Sequence, residues 1–159
     1  MKRVLLIATL LPSPAFAQEV QDIDVDEIEY CLSEAGYSGP ADEHQCIGFI
    51  ADSCEKGDNQ PEPGSPTDCL TREAAAWNEI AARRYNVLRE KTKPEIARSI
   101  ADAQDSWSRY REAQCGAAGA FFSQYSGSAS AEWQAKCLRD TAAERALLLD
   151  DWLLRMEDF

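Results

Sequence analysis

Six cysteines, at positions 31, 46, 54, 69, 115 and 137, constrain this chain more than any other feature in it. An even set in a small chain either closes disulfides in an oxidising compartment or holds a metal. Zinc sites need close ligand pairs of the Cys-x-x-Cys kind, and here no two cysteines lie closer than eight positions. The spacing therefore points to three disulfides. Six cysteines allow 15 connectivities, and the pairing adopted as an expectation joins sequence neighbours: Cys31 with Cys46, Cys54 with Cys69, and Cys115 with Cys137. Each such loop is worth roughly 3 kcal/mol in a chain-entropy description.

Disulfides require export, and the N-terminus supplies a route. Lys2 and Arg3 precede an apolar run from Val4 to Leu11, a Pro-Ser-Pro break, and Ala15-Phe16-Ala17. That order predicts a secretory signal over residues 1–17, cleaved after Ala17. Eight apolar residues fall well short of the roughly 20 needed to span a bilayer, so stable membrane insertion is not expected. Residue 18 is Gln and not Cys, which gives no support to lipidation at the cut. The expected location is periplasmic or secreted.

Glycine and proline punctuate the rest at 36–40, 57–66, 94, 116–119 and 127, leaving long stretches free of both. Strand-like alternation is missing throughout. The chain reads as all-α: helices over about 22–35, 42–56 with Asp42 as N-cap, 66–91, 94–115, and 130–156. In the third, Leu70, Ala74, Trp77, Ala81, Tyr85 and Leu88 recur at helical spacing. Trp133, Cys137, Thr141, Leu148 and Trp152 fall on one side of the last. Residues 116–127 read as either a packed turn or a continuation of the fourth helix.

Charge narrows the function classes. The whole chain carries 28 acidic against 16 basic residues. Removal of residues 1–17 takes away two bases and leaves a net charge of −14. Such a surface disfavours nucleic acid and favours cationic partners. The layout is uneven, because residues 18–55 hold eleven acids and no Lys or Arg. Asp22, Asp24, Asp26, Glu27 and Glu29 are the candidate partner-binding residues, able to steer a basic protein. The first three also resemble the start of a calcium loop, but Glu27 stands where that loop needs Gly, so no metal is assigned. Arg83, Arg84, Arg89, Lys91 and Lys93 crowd the end of the third helix, where they are expected to complement its dipole. His44, the only histidine, is expected to be exposed and incidental. No nucleophile, phosphate loop or cofactor motif is present, so binding is expected and catalysis is not.

One segment is more specific. Residues 103–115 read Ala-Gln-Asp-Ser-Trp-Ser-Arg-Tyr-Arg-Glu-Ala-Gln-Cys, a Gln-x-x-Trp-x-x-aromatic-Arg pattern closing on a cysteine. Upstream stand Cys69, Glu73, Trp77, Tyr85 and Leu88. Downstream stand Gly127-Ser128 and then Cys137, Thr141 and Arg145 at four-residue steps. These features over about 54–149 resemble the lysozyme inhibitor LprI-like N-terminal domain family. The resemblance implies an exported helical protein and a basic partner such as lysozyme; the other reading is an envelope interaction module without inhibitory activity. It divides the chain into a signal (1–17), an acidic helical N-terminal extension (18–53) and an LprI-like helical domain (54–157). Its motif residues are Gln104, Trp107, Tyr110, Arg111, Cys115, Cys137, Thr141 and Arg145. Gln104, Trp107 and Arg111 share one helix face, read as core packing in which Arg and Gln meet a carboxylate or a helix end.

Overall fold

Ser65 opens the helix around which the others assemble. Its hydroxyl accepts the Asp68 backbone N–H at 3.2 Å and donates to the Asp68 carboxylate at 2.6 Å. Pro66 takes the first helical position, where a missing N–H costs nothing. The computed structural model of the protein describes residues 14–36, 43–57, 64–127 and 129–156. They form α1 (Pro14–Gly36), a 3-10 turn (Glu43–Cys46), α2 (Phe49–Lys56), α3 (Pro66–Lys91), α4 (Pro94–Ser123) and α5 (Ser130–Met156). Among the described residues there is no strand, and the fold is all-α as expected. Asp42, Ser128 and residues 1–13 of the expected signal lie outside the described residues.

The expected stripe of α3 is its core face. Leu70, Ala74, Trp77, Ala81 and Leu88 are buried, with Tyr85 half-buried. α5 makes the largest interface with α3, and α1, α2 and α4 pack on it as well. Trp77 and Ile80 supply the bulk at the centre, so α5 answers with small side chains: Ala142, Ala143 and Ala146 are buried against them. The side of α5 that carries Trp133 and Leu148 is therefore not its core face, and both are exposed. Trp133 stacks instead on Phe122 of α4, with ring centroids 4.1 Å apart.

All three disulfides join the expected neighbours, with Cα separations of 5.9 Å for Cys31–Cys46, 5.6 Å for Cys54–Cys69 and 5.4 Å for Cys115–Cys137. They tie α1 to the 3-10 turn, α2 to α3, and α4 to α5. Past Cys115 the chain stays helical to Ser123, which settles the reading of 116–127 in favour of continuation. Gly119 eases the close packing of α5 against this stretch, since a Cβ there would stand 3.2 Å from the Gln134 Cβ of α5.

The single helix expected over 42–56 is in fact two pieces. Gly48, at φ +105°, breaks it in a conformation that side chains resist. The break has a cause in α3. The fully buried Glu73 carboxylate accepts the backbone N–H of Gly48 at 2.7 Å and of Ala51 at 2.8 Å, so α2 starts on an anion. Trp77 Nε1 donates to the same carboxylate at 3.0 Å, and Arg139 of α5 approaches it at 3.5 Å. The acidic helix α1 is equally built in. Val25 and Ile28 of α1 are fully buried in the cluster that holds Trp77 and Ile80.

Candidate functional site

The motif residues of α4 and α5 come together, although not in the way expected. Trp107 is half-buried between two guanidinium groups, with Arg111 at 4.8 Å and Arg145 at 5.7 Å from its ring centroid. Arg145 also reaches the Trp152 ring at 6.0 Å. Neither cation meets a carboxylate in this cluster. Arg145 Nε donates to Gln104 Oε1 at 2.9 Å, and Arg111 Nη1 donates to Asn78 Oδ1 of α3. Burial without a neighbouring anion pulls the Arg145 guanidinium below its ordinary pKa. The aromatic faces are what offset these charges. The Thr141 hydroxyl donates to the Cys137 carbonyl at 2.7 Å and lies 3.8 Å from Cys115 Sγ, beside the α4–α5 bridge. Tyr110 is exposed and stands apart. This cluster locks α3, α4 and α5 together.

The five acidic candidates separate into two groups. Asp24 is buried and receives both Nε and Nη2 of Arg72 at 2.6 Å; that hydrogen bond, against the cost of burial, holds Arg72 above its ordinary pKa. Glu29 takes Arg84 through both terminal nitrogens at 2.7 and 2.6 Å, while Arg84 Nε donates to Asp150 of α5 at 2.7 Å. Burial works against the Arg84 charge, but Glu29 and Asp150 outweigh it and raise its pKa. Arg84 therefore serves as an interhelical tie and not as a counter-charge for the end of α3. Asp22 is exposed and approaches Arg83 at 3.7 Å. Asp26 and Glu27 are exposed and make no salt bridge among the described residues.

A cleft that sequence spacing does not announce lies between α1, the 3-10 turn and α5. It has a volume of about 710 Å³. Leu32, Leu147, Leu148 and Leu154 give it an apolar lining, and Glu29, Glu43, Glu144, Asp150 and Asp151 surround them with carboxylates. Arg84 is already claimed by two of these. His44, exposed as expected, has Nε2 at 3.3 Å from Glu144 Oε2. Desolvation first, then the charge of Asp150, raise the Glu43 pKa against a lesser lowering by His44, with Asp151 adding a little more to the rise. The cleft is thus an under-neutralised acidic hollow, suited to a basic side chain with an aliphatic stem. Its members stand far apart in the chain, His44 and Glu144 by a hundred positions, so only the fold assembles them. The adjacent acids Asp150 and Asp151 are the one trace of it in the sequence.

Comparison with known proteins agrees with the motif. The family model described as Lysozyme inhibitor LprI matches residues 54–149. No curated protein and no solved structure matches the chain.

Proposed function

The chain belongs to the lysozyme inhibitor LprI family, and on that basis we propose that it binds and inhibits a basic, lysozyme-type muramidase. The family match carries this reading. The acidic cleft of α1, the 3-10 turn and α5 supports it, because a cationic enzyme offers the lysines and arginines such a hollow accepts. Three disulfides together with the family fit an extracellular or periplasmic location. Export by cleavage after Ala17, yielding a protein that begins at Gln18, is part of the proposal.

Turnover of cell-wall substrate by lysozyme, measured with the oxidised and signal-free protein, tests it. Inhibition at near-stoichiometric ratio, weakening from low to high salt, is the expected result. Unchanged turnover across that range would instead favour an envelope interaction module.

A further inference from the structure

The cleft supplies attraction, but tight protein association also needs apolar area removed from water, and α1 displays that on its other flank. Ile23, Asp26, Glu27 and Tyr30 fall at i, i+3, i+4 and i+7, so they share one face of the helix. Val25 and Ile28 occupy the inward face, which leaves the first set turned to solvent. Ile23 is 52 % exposed and Tyr30 66 % exposed. Across a shallow groove of about 440 Å³, α2 presents Phe49, 45 % exposed, and Ser53. Three large apolar side chains on one open groove exceed what isolated surface hydrophobes need to explain.

From this juxtaposition we infer that the α1–α2 groove is the contact surface for a basic protein partner. Tyr30 and Phe49 are its anchors, and Asp26 and Glu27 receive a lysine or arginine between them. The two carboxylates select the occupant. A second copy of the same surface would bring like charges together across the contact, whereas a basic protein surface neutralises them. A cationic head can lie on the Tyr30 ring while its stem covers Ile23 and Phe49. Phe49 starts α2 immediately after Gly48, so the Glu73 carboxylate that fixes Gly48 and Ala51 also fixes one wall of the groove. The recognition surface is therefore held by the core.

This inference rests on the reading of the chain as a muramidase binder, and the test separates the two. Binding of lysozyme to the full oxidised protein is measured by calorimetry for affinity and by surface-plasmon-resonance kinetics for the rates, beside Tyr30→Ala/Phe49→Ala and Asp26→Asn/Glu27→Gln variants. Thermal melting checks that each variant keeps its fold. The aromatic double variant is expected to weaken binding at least tenfold through faster dissociation, with melting unchanged. The amide variant is expected to slow association and flatten its salt dependence. If the parent protein binds and the aromatic variant binds equally well, the groove is not the contact, and the muramidase reading stands without it. If the parent protein does not bind lysozyme at all, both fall. A parent protein that sediments as a dimer and becomes monomeric on the aromatic substitutions would make the groove a self-interface and overturn the inference.

Discussion

Trp107 is gripped by cations on a half-open surface, so its energetic role differs from that of a fully buried indole. Trp77, wholly inside and bonded to Glu73, is the true core tryptophan. Truncating a buried aromatic costs about 3–5 kcal/mol, and partial exposure places Trp107→Ala nearer about 2–3 kcal/mol. Urea unfolding measures this, and Trp107→Phe should recover most of the loss by keeping a ring against Arg111 and Arg145. A Trp107→Ala change below 1 kcal/mol would mean that the guanidinium stack contributes nothing to cohesion. The shared face of Gln104, Trp107 and Arg111 was legible from spacing alone. Their partners were not. A one-dimensional pattern gave no means to foresee that Arg145 would use the Gln104 amide, and Arg111 the Asn78 amide, in place of carboxylates.

At the level of elements, α3, α4 and α5 follow from local rules: a Ser-Pro start, stripes at helical spacing, and proline or glycine at the ends. Two departures have tertiary causes. α2 is shortened because a carboxylate of α3 captures its first N–H groups, and α5 is turned so that alanines face Trp77. The acidic α1 was read as a steering extension, yet Asp24 and Glu29 are spent on Arg72 and Arg84. Neutralising all five candidate acids together would thus strip interhelical ties as well as surface charge. Arg84→Met isolates that structural part. With Glu29 and Asp150 left facing each other without their cation, stability should fall by about 2–3 kcal/mol, below the 3–5 kcal/mol of a fully buried pair because water reaches this one. Added salt should return part of the loss by screening the two carboxylates. A salt-independent melting deficit would assign the effect to packing instead.

For the molecule as a whole, the acid cleft should make stability respond to pH, and with it the binding of the proposed cationic partner. Glu43 has its pKa raised above the ordinary 4.5, so its neutral form is the one the folded protein prefers. Its favourable contribution is fully present below that value and is lost as pH rises through the folded pKa. Glu43→Gln should therefore melt above the parent protein at neutral pH, with the gap closing on acidification below about pH 4. A gap that persists unchanged at low pH would remove Glu43 titration as its origin. A cation entering the cleft favours the ionised form, so binding there should release protons and weaken in acid. Beyond the adjacent acids Asp150 and Asp151, little of this hollow could be read from the sequence, since α1, the 3-10 turn and α5 meet there only after the chain has folded back on itself.

The three bridges never overlap along the chain: each closes before the next one opens, with separations of 15, 15 and 22 residues. A polypeptide that meets oxidant from its N-terminal end onward can consequently form every bond with the first partner to arrive. Wrong pairings then need no later shuffling, and a chain delivered into oxidant in that order should gain all three bonds at the same yield with or without a disulfide isomerase. Refolding of the complete reduced chain, with all six thiols present at once, loses that advantage. The order of emergence already encodes the connectivity.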